Sequence, residues 1–360
     1  MNLIGRAAGA LLLSIVIVPL AAFARDASPA DLIHDGHFKQ ARPLLEQQLR
    51  ENPRNPEALV LLARIHLAYK EHEKALNLLR QAVALQPANS DAHVYLAEAY
   101  GQKIDHVGTF EKMGMAKTIR KEAERAVAAG PSNLDALESL MEFHIEAPGI
   151  VGGSKDKARE LAARITELDP VRGAFARAAI AAHDKHYDQQ KQFQLKAVES
   201  DPHSYDALVG AAQLYLSQPF VDYHVASEFA ARAIAVDATR VRAYSLLAQA
   251  YASLGRSSEL AALLQRAEAQ VPDDLAPYFY AGQVLVSTGN DPAVAEKLLR
   301  KYLTQQPEGE APSLGEAHWR LGQALAQQGR NDDAVREMQA AVRMNPELKD
   351  ARKQLKRLKS

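Results

Sequence analysis

Cysteine is absent from the 360-residue chain, which excludes a disulfide framework, a thiol nucleophile, a cysteine metal site and a lipidated cysteine anchor. Stability must come from packing alone. Neither sign of charge dominates, with 43 Lys and Arg against 44 Asp and Glu, so composition gives no reason to expect nucleic acid or an anionic membrane as the main partner. Long apolar runs are also missing, with one exception at the start. Arg6 supplies a positive charge, Ala7 to Val18 carry none, Pro19 breaks the run, and Ala22-Phe23-Ala24 offers small residues at a cleavage site. This reads as a signal peptide over residues 1–24. The run is shorter than the roughly 20 residues of a transmembrane span, although a retained N-terminal anchor is the other reading of the same pattern. The expectation is a soluble mature chain from Arg25 onward, exported to the periplasm, with no stable membrane insertion.

The motifs of common chemistries are missing too. No G-x-S-x-G elbow or H-E-x-x-H helix occurs. His34/His37 and His183/His186 are three apart, a spacing that suits two ligands on one helix, but neither pair has a third ligand nearby, and solvated surface histidines account for them. Nothing in the sequence raises the pKa of the carboxylates Glu142 and Glu146 toward acid–base work. No metal, cofactor or catalytic residue is expected.

What the chain does contain is a period. Pro53, Pro87, Pro131, Pro170, Pro202, Pro272, Pro307 and Pro346 each close a helical run, and Ala238 stands where one more proline is due, giving intervals of 34, 44, 39, 32, 36, 34, 35 and 39 residues. Within "VRAYSLLAQAYASLGRSSELAALLQRAEAQVP", Tyr244, Leu247, Ala248 and Tyr251 share one helical face, Gly255 ends that helix, and Leu260, Leu264 and Ala267 form a second face. The stretch "HWRLGQALAQQGRNDDAVREMQAAVRMNP" repeats the scheme. These segments resemble tetratricopeptide repeats (TPRs), helix-turn-helix units of about 34 residues. The resemblance implies an all-α, right-handed α-solenoid of about nine TPR-like helix pairs over residues 25–346, with a capping helix in 347–360. Ala63, Ala97, Ala212, Ala248, Gly282 and Gly322 take the small eighth position where the facing helix comes near. The unit from Pro170 to Pro202 departs most from the pattern, with Arg177 and Gln190 at positions the family fills with apolar or small residues.

The resemblance also suggests where to look for binding, because a helix-pair stack forms a concave surface lined by its first helices. In peptide-binding TPR proteins the second, fifth, ninth, twelfth and thirteenth positions tend to face that groove. Here the ninth is Gln213, Gln249, Gln283 and Gln323, and the fifth is Phe279 and Trp319 in two late repeats. Glutamine carries both a donor and an acceptor and could grip an extended peptide backbone. Equally, it is a helix-tolerant polar residue, and the aromatics could pack within the stack. The same register places Asp91 and Glu98 beside Asp135, Glu138, Glu142 and Glu146. That set is either an acidic patch able to steer a basic ligand or a solvated helical face. The lysines and arginines of a carboxylate clamp are absent from the C-terminal groove positions apart from Arg242.

The two stretched repeats carry insertions between their paired helices, "KIDHVGTFEKMGM" and "APGIVGGS", which adjacent repeats should place side by side. Gly152 and Gly153 do not form a phosphate loop, because Ser154 rather than Lys follows the last glycine and no strand precedes it. They permit a turn after Pro148, with Ser154 capping the next helix, and Ile150 and Val151 are expected to tuck against the neighbouring insertion near Phe110 or Met113. The run resembles one found in exported bacterial TPR proteins. Together these readings point to a non-enzymatic scaffold or adaptor of the bacterial envelope that binds a protein or peptide partner, with no nucleic acid. The alternative is a periplasmic small-molecule-binding protein associated with solute transport. An open row of glutamines would favour the first, and a closed cavity near Asp135, Glu142 and Gly153 the second.

Overall fold

The computed structural model describes residues 27–104 and 107–359; the apolar N-terminal run lies outside them. Among the described residues all regular structure is helical, in nine pairs and a final helix. The pairs are α1 (Pro29–Asp35) with α2 (Phe38–Glu51), α3 (Pro56–Ala68) with α4 (His72–Leu85), α5 (Ser90–Ile104) with α6 (Thr109–Ala129), α7 (Leu134–Glu146) with α8 (Lys155–Leu168), and α9 (Pro170–His183) with α10 (Tyr187–Ser200). Then come α11 (Tyr205–Tyr215) with α12 (Tyr223–Val236), α13 (Val241–Ser253) with α14 (Ser257–Gln270), α15 (Ala276–Thr288) with α16 (Pro292–Tyr302), α17 (Leu314–Gln327) with α18 (Asn331–Met344), and α19 (Lys349–Lys359). The helices pack on those one or two places away in the chain, α13 most extensively on α15, as a solenoid requires.

The proline period sets the ends of the second helices. A residue before proline is pushed out of the helical region by the ring, and Asn52, Gln86, Asp201 and Asn345 all adopt φ near −140° with ψ near +90°. Asp237 keeps the same geometry ahead of Ala238 (φ −144°, ψ 108°), so the neighbouring repeats hold this turn without the proline. New helices start on side-chain caps: Asn55, Asn133, Asp169, Ser204 and Asp222 each accept backbone N–H bonds from the first turn, and Ser313 forms a full capping box with Glu316.

Packing follows the small-residue rule. Ala63, Ala97, Ala212 and Ala248 are buried, and a Cβ on Gly282 or Gly322 would stand 2.9 Å from Leu299 Cγ or 2.8 Å from Met338 Cγ. From Ala174 to Ala334 the buried residues form one continuous core, while the N-terminal half divides into smaller clusters. The boundary falls in the divergent repeat. There α9 buries mainly alanine and α10 buries only Ala197 and Val198, with Arg177 exposed and Gln190 half-buried. The first insertion is absorbed by α6, which runs for 21 residues. The second forms a 3-10 turn at Gly149–Val151 that packs on α6.

Candidate functional site

The solenoid curls until its first repeat touches its eighth. Lys39 on α2 donates from its backbone N–H to Glu308 Oε2 (3.1 Å), and its ammonium donates to the carbonyl oxygens of Asp273 and Gln306. Tyr69 OH donates to the same Glu308 oxygen (3.2 Å). Asp273 Oδ2 accepts from Gln40 (2.7 Å) and contacts His37 Nδ1 at 2.9 Å, across 236 residues of sequence. Arg240, stacked over the Tyr205 ring at 3.9 Å, reaches back to Asp35 at 3.8 Å. His37 is therefore not a solvated surface histidine; it is a member of this seam.

The seam sets its own electrostatics. Glu308 is 2% exposed, and burial raises its pKa to about 7 although Lys39 opposes the rise. Asp274, which accepts the Ala276 N–H at 2.7 Å, is likewise raised by burial, to about 6. The hydrogen bond to Asp273 raises His37. Burial opposes ionisation of Asp273 as well, but hydrogen bonds with His37 and Gln40 hold its carboxyl below the ordinary value.

Behind the seam lies a cavity of about 1000 Å³ between the two halves, open to solvent on one side. From the N-terminal half come Arg64, Tyr95, Glu98 and Gln102, and from the C-terminal half Gln213, Arg242, Ser245, Gln249 and Tyr280. Arg64 lies 5.0 Å from the centre of the Tyr95 ring. Ser245 Oγ, in a residue 4% exposed, and Gln102 Oε1 are buried polar atoms with no hydrogen-bond partner among the described residues. Such atoms are costly unless something satisfies them. Glu98 reaches the solvent of the cavity but has protein on most sides, and this burial raises its pKa, with Glu310 and Glu142 adding to the rise.

The glutamine row is thus split. Gln213 and Gln249 line the cavity, whereas Gln283 and Gln323 do not. Gln323 donates to Gln354 on α19 (3.0 Å) and accepts from Arg320. Trp319 also donates to Gln354 (2.9 Å), under the Arg320 guanidinium, so the capping helix occupies that end of the row. Phe279 is 3% exposed and packs on Tyr302 and Tyr280 at 5.3 and 5.5 Å, a core residue where a groove aromatic was expected. The aromatics at the cavity are Phe38 from α2 and, at the sixth rather than the fifth position of their repeats, Tyr95 and Tyr280. Arg64 and Glu98 hold the ninth position in the second and third repeats; the register gave Glu98, and carrying it one repeat further upstream would have found Arg64. Gln102 holds the thirteenth position of its repeat, another groove position, whereas Tyr95 and Tyr280 had no such signal.

The acidic set is partly neutralised by a residue the sequence reading left out. Arg172, from α9, bonds Glu138 through two nitrogens (2.7 and 2.6 Å) and Asp135 through one (2.5 Å), and these bonds raise its own pKa, the one to Glu138 most. Asp91 accepts from Asn133 at 2.7 Å. Glu142 and Glu146 are exposed, and Glu142 is raised by partial burial and then by repulsion from Glu138 and Glu146. The cavity is lined by Glu98 and not by Asp135, Glu142 or Gly153.

The glycine loop is a structural device. Gly152 adopts φ +104°, and a Cβ there would overlap the Arg120 guanidinium; a Cβ on Gly153 would overlap the Ala147 carbonyl oxygen. Ser154 caps α8 through the Lys157 N–H. Val151 tucks in as expected, against Ala116 and Phe143. Ile150 does not: it is 83% exposed, and Phe110 is 94% exposed; consecutive side chains of the 3-10 turn point about 120° apart, so only one of the two faces inward.

Two stretches, residues 32–81 and 281–349, match family models described as tetratricopeptide repeat. With the helix-pair stack, they show that the chain carries TPRs in a TPR-type solenoid. A curated relative, interferon-induced protein with tetratricopeptide repeats 2 of Mus musculus, is 28% identical over 113 residues, 31% of this chain and 24% of the relative's length. Among solved structures, yeast Tom70 aligns over 90% of this chain and 59% of its own, with TM-score 0.50 and 17% identity. A thermophilic TPR protein of Thermus thermophilus aligns over 52% of this chain and 96% of its own, with TM-score 0.46 and 24% identity. At these identities the likeness is one of fold.

Proposed function

We propose that this chain is a non-enzymatic binding protein of the bacterial envelope that takes a short polar segment of a peptide or protein partner into the cavity between its halves. The observation that carries the reading is the unpartnered Ser245 Oγ on a wall shared with Gln249, Gln213 and Arg242. Donors and acceptors from several repeats converge there, as a peptide backbone requires, and Arg64, Tyr95 and Tyr280 supply the arginine and tyrosine anchors common at binding hot spots. Export is supported by Arg6, the uncharged run Ala7 to Val18 and the Ala22-Phe23-Ala24 site. Osmotic-shock fractionation checks it: the chain should leave the cell with the periplasmic contents, and retention in the cytosol would sink this part.

A second reading, a free solute as ligand, is favoured by one observation: the seam closes the cavity on one side and limits the length of what fits. Native mass spectrometry against pools of short peptides and of small metabolites separates the two. The expected outcome is peptide capture, weakened about tenfold or more by Arg242→Ala/Gln249→Ala. Capture of solutes alone moves the conclusion to the second reading, and equal binding by the variant removes the cavity from both.

A further inference from the structure

The two most exposed large apolar side chains among the described residues, Phe110 and Ile150, both lie along α6, one at its start and one against its middle, and neither belongs to the cavity. Phe110 opens α6, and Met113, Lys117 and Lys121 follow it at spacings that keep all four within about 60° of one helical face; all four are exposed. Ile150 joins the same face from the adjacent turn, sharing a shallow depression with Lys117 and Lys121. Its position is held firmly. Val151 is buried beneath it, the Gly152 and Gly153 N–H groups close the turn on Gly149 and Pro148, and the Ser154 N–H donates to the His144 carbonyl oxygen (3.1 Å). A rigid turn that spends two sterically obligatory glycines to present an isoleucine to water calls for an apolar surrounding that the monomer does not provide.

The charges on this edge indicate which surrounding. Arg120 and Glu124 pair with each other at 2.8 Å, and Glu111 is the remaining acid beside Phe110. Lys117 and Lys121 flank Ile150 with no ion pair among the described residues. Projecting apolar side chains bordered by lysines, with no groove to receive a partner's side chain, match the chemistry of a bilayer interface with anionic headgroups. We propose that the edge formed by α6 and the Gly149–Val151 turn docks on an anionic lipid surface, with Phe110 and Ile150 entering the interface and Lys117 and Lys121 meeting the headgroups. Such docking is peripheral, and no helix among the described residues is long and apolar enough to cross a membrane.

The absence of cysteine makes the test direct, because Phe110→Cys in the full chain gives a unique site for an environment-sensitive dye, and Val294→Cys on α16 gives a remote control. The expected result is a blue shift and quenching by brominated lipid at position 110 on phosphatidylcholine–phosphatidylglycerol vesicles, not on phosphatidylcholine alone, with position 294 silent. Lys117→Glu/Lys121→Glu in the labelled chain should weaken the partition by at least about thirtyfold, since losing each lysine near a charged surface costs about a factor of five and each new carboxylate adds repulsion. The probe reports its own surroundings, so capture of vesicles through residues 7–18 alone leaves it water-like and overturns the proposal. A signal insensitive to charge reversal overturns it too, as does one that stays water-like on every vesicle but shifts on adding envelope proteins, which would make the occupant a protein.

Discussion

Within the C-terminal half, each repeat meets the next through a continuous apolar core in which Leu208, Tyr244, Leu299 and Leu321 are fully buried. Across the seam, the first repeat meets the eighth through a lysine, an imidazole and three carboxylates. The first kind of contact is non-directional and does not titrate. The second depends on geometry and pH. The stack should therefore set how stable the protein is, and the seam how closed it is.

The largest effect is expected from breaking the stack. Leu321→Ala should cost about 2–5 kcal/mol in chemical denaturation without altering the distance across the seam; a loss below about 1 kcal/mol would mean that the repeat interfaces are far more plastic than their burial implies. Gly153→Ala should cost about 1–3 kcal/mol, because its Cβ cannot coexist with the Ala147 carbonyl oxygen, and should expose Val151 to proteolysis beside it.

Seam variants should separate shape from stability. Lys39→Ala removes bonds worth about 0.5–1.5 kcal/mol each and should widen the distance between spin labels on α2 and the Gln306–Gly309 segment while the denaturation midpoint shifts little. An unchanged distance would show that the curl is fixed by the stack alone. The pH dependence has a definite sign. Glu308, Asp274 and His37 all have raised values in the closed state, so closure takes up protons. The stabilisation from the two carboxyls is complete below their ordinary values and fades as pH rises through about 6 and 7; that from His37 fades at a higher pH than its ordinary value would give. Asp273 acts in the opposite sense, losing its contribution only under acid conditions. The label distance should accordingly be shorter at about pH 5.5 than at about pH 8, and Glu308→Gln should flatten the response. The smallest effect is expected at Arg172→Gln, a half-exposed ion pair at the solvent rim between two adjacent repeats, where stability should change by less than about 1 kcal/mol.

The helix pairs, their boundaries and the small residues at their contacts were legible in the sequence, since each depends on neighbours within about one repeat. A proline fixes the residue before it, an asparagine or serine caps the helix after it, and an alanine or glycine at the eighth position admits the next helix. Even the weakness of the Pro170 to Pro202 unit could be read from Arg177 and Gln190. The binding surface was legible by halves: the groove register led to Gln213, Gln249 and Glu98 and, carried one repeat further upstream, leads to Arg64, but it also took in Gln283, which does not line the cavity, and Gln323 and Trp319, which bond the capping helix, and it assigned Phe279 to the groove one residue short of Tyr280.

Only the tertiary structure decided that the first repeat meets the eighth. That contact depends on the rotation and rise summed over every intervening interface, stretched and divergent repeats included, and no local pattern encodes such a sum. The same reason governs Arg172 and Ile150: a guanidinium from the next repeat pairs with two of the six acids, and one 3-10 turn sends one of two adjacent apolar side chains into the core and the other into water. Periodicity determined what this chain is built from, and the accumulated geometry of its departures from that period determined where it closes and what it leaves exposed.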